Sequence, residues 1–232
     1  MERDLIEDLD VFERTSDFWT LSRNEILLKH ITIQPIMDVG CGSGILTKQL
    51  VENKFNVYSL DIEKRAKELT SRFNDERKIF VKSFETVTLK DVPKLGTIIF
   101  ADVLEHVDMD VEFLLKANEL LQEGGKVVIS VPCHDFLWTK NDEVRGHKRR
   151  YTKQQLSSIL EYAGFKVDKM FYWNFLSVPV ILLAKIAGSR VPHEGVSESK
   201  LNGLLSFYFT KIENKLPVPF GSTLICIARK ER

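Results

Sequence analysis

The sequence predicts an α/β fold, a mostly parallel sheet of seven short strands with helices on both faces. Three observations predict it. Short apolar runs recur along the chain, amphipathic stretches of helical length lie between them, and the first run ends in a glycine turn, Gly40-Cys41-Gly42-Ser43-Gly44. A length of 232 residues, 44% hydrophobic and 28% charged, suits one large α/β domain or a domain with a modest insertion.

Taken in order, the opening stretch carries Phe18, Leu21, Ile26, Leu27 and Ile31 at helical spacing, so residues 1–33 read as a helical segment. The period then changes. Ile36 to Val39 is a buried strand that enters the glycine turn, and Ile45 to Glu52 is a helix. Phe55 to Leu60 is a second strand ending at Asp61, followed by a helix from Glu63 to Phe73. Strands fit Lys78 to Val81, Thr97 to Phe100 and Lys126 to Val131. A helix from Val111 to Leu121 precedes the last of these, with Gly124-Gly125 as its stop. Thr152 caps a helix through Tyr162, Gly164 closes it, and a strand runs from Phe165 to Phe171. Residues 174–216 form a helical insertion before a final strand, Ser222 to Ala228.

Composition narrows the function. Lys plus Arg and Asp plus Glu are both 33, so the basic surplus of a general nucleic-acid binder is missing and nucleic acid is not the expected partner. Cys41, Cys133 and Cys226 form no metal or redox pair, which fits a reducing, cytoplasmic setting. The acidic N-terminus is unlike a secretory signal, and no apolar run reaches the roughly 18 residues of a membrane span.

The glycine turn lets the backbone bend sharply and approach a ligand, while the following helix presents unpaired N–H groups. Asp61, at the end of the second strand, can accept both ribose hydroxyls of an adenosine-containing ligand, or start the next helix, or both. Dinucleotide binding needs a third glycine at a spacing this chain lacks, since Ile45-Leu46-Thr47 follows Gly44.

Met37-Asp38-Val39-Gly40-Cys41-Gly42-Ser43-Gly44 resembles motif I of class I S-adenosylmethionine-dependent methyltransferases, and Ser59-Leu60-Asp61 resembles their second motif. The stretches Ala101 to Val107 and Leu121 to Pro132 resemble the later motifs. The resemblance covers about residues 36–132 and implies a Rossmann-like sheet whose last strand is antiparallel. It implies S-adenosylmethionine as cofactor, held by Asp38, Gly40, Gly42, Asp61, Ile62, Ser83, Phe84 and Asp102. Ser83 and Phe84 stand where many relatives carry an acid. Phe18-Trp19-x-x-x-Arg23 resembles an N-terminal helix that covers the cofactor in a subgroup, making residues 1–33 a lid. Arg23 could there pair with the methionine carboxylate, or be a solvated helix position.

On the acceptor side, Asp102, Glu105 and His106 have i, i+3, i+4 spacing, which one helical turn would gather. Some relatives use a similar set to hold a magnesium-type ion, while the wider family carries Leu-Glu-His without one. The expectation is no metal, with His106, Glu105 and His147 as catalytic residues and His106 a candidate general base. Leu137-Trp138 through Gly146-His147-x-Arg149-Arg150-Tyr151 resembles a signature after the fifth strand in a subgroup of these enzymes. It reads as acceptor recognition, against the alternative of a charged, solvated loop. The apolar run from Phe171 to Ala184 is too short to span a bilayer, and Pro179 would kink it. Residues 171–187 therefore read as a peripheral membrane contact, or more simply as a helix buried on the domain or in a dimer. The leading function is methyl transfer to oxygen of a small or lipid-linked acceptor. An RNA-end methyltransferase and a non-catalytic adenosine-ligand-binding module are the alternatives.

Overall fold

The computed structural model describes residues 18–187, 200–216 and 218–231. The first part of the expected N-terminal helix and the middle of the expected insertion lie outside these residues. A seven-stranded sheet runs β3-β2-β1-β4-β5-β7-β6. Its strands are β1 (Ile36–Val39), β2 (Val57–Asp61), β3 (Ile79–Val81), β4 (Leu95–Ala101), β5 (Leu121–Pro132), β6 (Phe165–Trp173) and β7 (Thr223–Lys230). β1 pairs in parallel with both β2 and β4, and β4 with β5, whereas β7 is antiparallel to β5 and to β6. This is the expected Rossmann-like sheet with an antiparallel last strand.

The strand order reverses at β1. Beside that reversal, the C-terminal ends of β1 and β4 open the crevice in which doubly wound sheets bind ligands. Side chains alternate across β4: Ile98 and Phe100 join one core cluster and Ile99 the other. Leu114 and Ala117 of α4 (Asp110–Leu120) and Leu156 of α6 (Lys153–Tyr162) cover the first face. Leu27 of α1 (Phe18–Lys29) and Leu46 of α2 (Ile45–Glu52) cover the second. Helices thus bury both faces, and the central strands need no polar side.

Local chemistry sets the boundaries. Thr152 accepts from Gln155 N at 3.2 Å while Gln155 Oε1 accepts from Thr152 N at 2.8 Å, a reciprocal cap that starts α6 as the sequence predicts. The helix after β2, α3 (Lys64–Thr70), is shorter than expected. Gly124-Gly125 is not a helix stop but part of β5, where the register with β4 jumps from Leu95↔Leu121 to Thr97↔Lys126. Gly124 has φ 71°, and a Cβ on Gly125 would lie 2.9 Å from the Gln122 carbonyl, so the irregularity needs glycine.

In α7 (Ser177–Ile186), Val178, Ile181 and Ala184 are buried against Leu137. Leu183 and Ile186 on the same helix are 67% and 84% exposed. Pro179 occupies the first turn, where helices accept proline, rather than a kink in the middle. Among the described residues, no helix is long and apolar enough to cross a membrane.

Candidate active site

The glycine turn leaves β1 on backbone bonds, with Gly40 N and Cys41 N both donating to the Leu60 carbonyl, at 2.8 and 3.0 Å. Gly40, Gly42 and Gly44 have φ of 69°, 49° and 76°, yet their surroundings differ. A Cβ on Gly40 would meet Val103 at 2.8 Å, and one on Gly44 would meet Thr70 Oγ1 at 2.8 Å and Cα at 3.0 Å. Around Gly42 nothing comes nearer than the Gly40 carbonyl at 4.0 Å. A Cβ at Gly40 or Gly44 would thus collide with a neighbour, whereas one at Gly42 would enter open space.

Asp61 spans this turn and the next helix. It accepts from Gly42 N at 2.9 Å and from Glu63 N at 3.0 Å. The bond to Glu63, the N-cap residue of α3, stops short of the helix, which has no side-chain cap. Ile62 beside it is 70% exposed. Asp38 lies beneath the turn, 1% exposed, where Thr47 donates to it at 2.7 Å. Burial raises its carboxyl from 3.8 to about 6, against the lowering influence of Thr47 and Arg23. Phe84 packs its ring in the core against Phe100 and Phe113, centroids 5.4 Å away in each case. Of the expected pair, Ser83 is the more accessible, and its hydroxyl donates to Glu85, an acid the sequence reading passed over.

Asp102 follows β4 at φ 58°, and Ser130 donates to its Oδ1 at 2.8 Å. Its other oxygen accepts from Arg23. Arg23 is 9% exposed, stands 4.9 Å above the Trp19 ring, and also bonds Asn24. It is thus not a solvated helix position. Through Asp102 it fastens α1 to the C-terminal end of β4.

The residues after Asp102 make a turn, with His106 N donating to the Val103 carbonyl at 3.0 Å, and not a helical turn. Asp102, Glu105 and His106 are therefore not the set brought together. Among the described residues, the group whose ligand atoms all lie within 4.8 Å of one another is Glu105, His106 and His147. The rings of His106 and His147 meet edge to face at 4.7 Å. Glu105 is 1% exposed and neither carboxylate oxygen has a hydrogen-bond partner. Burial, with Asp102 nearby, pushes its carboxyl well above the usual range, and burial with His147 pulls His106 down to about 4.

The segment after β5 is built on one carboxylate. Asp142, in the short helix α5 (Lys140–Val144), is 1% exposed and accepts from Thr139 N at 2.8 Å. Arg150 grips both of its oxygens at 2.9 Å and also reaches the Cys133 carbonyl. His147 Nδ1 lies 2.9 Å from Asp142 Oδ1. Burial alone would raise this carboxyl, but bonds from His147 and Arg150 hold it well below the usual range. Arg149 turns elsewhere, to Asp110 at 2.8 Å and the Asp108 carbonyl at 2.9 Å. The two adjacent arginines therefore do not form a joint anion site. Tyr151 is buried, its hydroxyl bonded to Asp110 and the Leu104 carbonyl. His134, at φ 65°, stacks on Phe220 at 4.3 Å with Phe136 and Tyr172 around them, an aromatic wall formed by residues far apart in sequence.

Comparison with known proteins agrees with this fold. Residues 11–170 match a family model described as a methyltransferase domain. The ubiquinone biosynthesis O-methyltransferase of Rickettsia akari is 28% identical over 104 residues, 44% of this chain and 41% of that protein. The chain therefore spans about two fifths of that relative's length. A SAM-dependent methyltransferase from Archaeoglobus fulgidus superposes with TM-score 0.62 at 18% identity, covering 92% of this chain and 94% of that one. The 1,6-didemethyltoxoflavin-N1-methyltransferase of Burkholderia thailandensis, solved with S-adenosylhomocysteine, gives 0.60 at 17% identity, over 97% and 83%. The chain belongs to the methyltransferase domain family and shares the fold of these solved methyltransferases.

Proposed function

We propose that the chain transfers a methyl group from S-adenosylmethionine to an oxygen of a small or lipid-linked acceptor. The carrying observation is that the open face of Gly42 and the unpartnered Glu105 carboxylate follow β1 and β4, neighbouring strands at the switch point. The cofactor supplies an electrophilic methyl group. Gly40, Gly42, Asp61, Ile62 and Ser83 are its proposed contacts, with Asp102 and Arg23 closing the side under α1 and Asp38 and Phe84 shaping the floor. Glu105, His106 and His147 face the acceptor as the proposed catalytic set. They align its oxygen with the methyl and hold the proton it loses, while the aromatic wall excludes water.

A relative named for O-methylation in ubiquinone biosynthesis supports oxygen as the acceptor atom. Leu183 and Ile186, exposed on either side of Lys185, support a lipid-facing edge within residues 171–187. Equal numbers of acidic and basic residues count against RNA.

The test is transfer of labelled methyl to a panel of phenols, carboxylates, amines and RNA ends. Oxygen methylation should dominate, and Glu105→Gln or His147→Ala should lose turnover while calorimetric affinity for S-adenosylmethionine is unchanged. Methylation of amines or RNA would overturn the acceptor class. For the lipid edge, Leu183→Asp should release the protein from vesicles in flotation. The buried Ile181 would report folding instead.

A further inference from the structure

We propose that Asn214 is a positioning residue that couples the helical insertion to the cofactor side of the crevice through α1. Its carboxamide joins three separate parts of the chain. Oδ1 accepts from Trp173 Nε1 at 3.0 Å, at the end of β6. Nδ2 donates to the Ser22 carbonyl at 2.9 Å and to Glu25 Oε2 at 3.0 Å, both in α1. The partners fix which end of the amide is which, because an indole nitrogen only donates and a carbonyl only accepts. Trp173 is buried, and its ring meets Trp19 of α1 at 5.7 Å and Phe209 at 5.4 Å. The lid helix and the end of the insertion therefore rest on the same indole.

The insertion presents Asn214 from a closed base. Helix α8 (Lys200–Tyr208) runs into a π-helical turn, Phe209–Glu213, which Asn214 N closes on the Phe209 carbonyl at 2.8 Å. Single wide turns of this kind are rare and recur at functional sites. Glu213 is buried and accepts from Phe175 N at 2.9 Å, so the last turn of the insertion is fastened to its first residues. Asn214, next in sequence, carries the bonds from that base to α1.

α1 takes the connection onward. Ser22, Arg23 and Asn24 are consecutive and buried, and each reaches a different element. The Ser22 carbonyl holds Asn214. Arg23 bonds Asp102, just after β4. Asn24 Nδ2 donates to Gln49 Oε1 at 2.8 Å on α2, the helix that leaves the glycine turn. A ligand seated between that turn and Asp102 therefore stabilises α1, and one further amide passes that order to the insertion. An acceptor that orders the insertion and a cofactor that orders α1 would each raise the other's affinity by the same factor. That such a cofactor is S-adenosylmethionine rests on the methyl-transfer reading.

Hydrogen exchange of the full chain, read by mass spectrometry with and without S-adenosylhomocysteine, tests the tie. In the wild type the ligand should slow exchange at Gly40–Gly44, in α1 and in residues 203–216. In the last segment the slowing should be roughly fivefold, the factor of one net hydrogen bond. In Asn214→Ala the slowing at Gly40–Gly44 should remain and that in residues 203–216 should vanish. Asn214→Asp keeps the size and the acceptor for Trp173 but loses both donors, so it should behave alike. It decides the matter if the alanine variant melts too early to be read. A merely structural asparagine would raise exchange with and without the ligand and leave the difference between them unchanged. Slowing at Gly40–Gly44 without slowing at 203–216 in the wild type would overturn the coupling, as would slowing at 203–216 that survives in both variants. Calorimetry on the same samples separates the two readings. No binding of S-adenosylhomocysteine sinks the methyl-transfer reading and the coupling with it, whereas binding with an unresponsive insertion sinks the coupling alone.

Discussion

The turn at Gly40–Gly44 and the segment from Cys133 to Tyr151 both lie at the C-terminal edge of the sheet, but they are held by opposite means. The first rests on main-chain bonds to the neighbouring strand and on glycine conformations. The second rests on a buried carboxylate gripped by a buried guanidinium. A turn built on backbone bonds can leave one face open, as it does at Gly42. A site built on buried charge must satisfy every partner internally, which leaves rigid walls and few free groups.

The largest test of that contrast removes the charge. Asp142→Ala leaves Arg150 buried and unpaired, so stability should fall by about 3–5 kcal/mol in urea unfolding. Asp61→Ala, at the open lip, should cost far less. Similar losses at both positions would break the comparison.

Next comes a pH effect confined to the first region. The Asp38 carboxyl is raised in the fold from 3.8 to about 6, so the folded state binds the proton more tightly than the unfolded one. This contribution is fully present below pH about 4 and is lost as pH rises through about 6, at most roughly 3 kcal/mol. Asp38→Asn should therefore gain on the wild type as pH rises from 4 to 7. A constant difference across that range would show that Asp38 titrates normally.

Sequence legibility follows the same division. The succession of strands and helices, the glycine turn, the end of β2 at Asp61 and the Thr152 cap could all be read because each depends on neighbours within a few residues. The reading of Asp102, Glu105 and His106 as one group failed because it assumed a helix where the chain turns. His147 joins Glu105 and His106 through a fold that no spacing encodes. Arg149 and Arg150 are adjacent in sequence yet point apart, Arg150 to Asp142 and Arg149 to Asp110. Asp142 was the hub that sequence reasoning undervalued. Its signal was present, as Thr139 and Asp142 have capping-box spacing.

Cofactor affinity probes the open lip directly. Asp61→Ala should weaken S-adenosylmethionine binding by about 1.5–3 kcal/mol, as for hydrogen bonds to a charged group. Calorimetry on a folded variant checks it, and unchanged affinity would reduce Asp61 to its bonds with Gly42 and Glu63.

Within the turn, alanine scanning separates packing from access. Gly44→Ala meets Thr70 at 2.8 Å as well as the φ of 76°, so it should cost about 1–3 kcal/mol more stability than Gly42→Ala, whose Cβ enters open space. Gly42→Ala should instead show its main loss in cofactor affinity. Equal melting temperatures for the two variants would mean that α3 moves freely away from the turn.

The smallest effect is expected at Arg149, and it sharpens the contrast with its neighbour. The side chains of Arg149 and Asp110 are 31% and 13% exposed, so water screens the pair and limits its worth to about 0–1 kcal/mol. Tyr151 also donates to Asp110, which leaves that carboxylate bonded when the guanidinium is removed. Arg149→Ala should therefore unfold within 1 kcal/mol of wild type, by the same urea assay that exposes Asp142→Ala. A loss as large as that of Asp142→Ala would mean that both arginines are structural, and that charge holds the segment along its whole length rather than at one carboxylate.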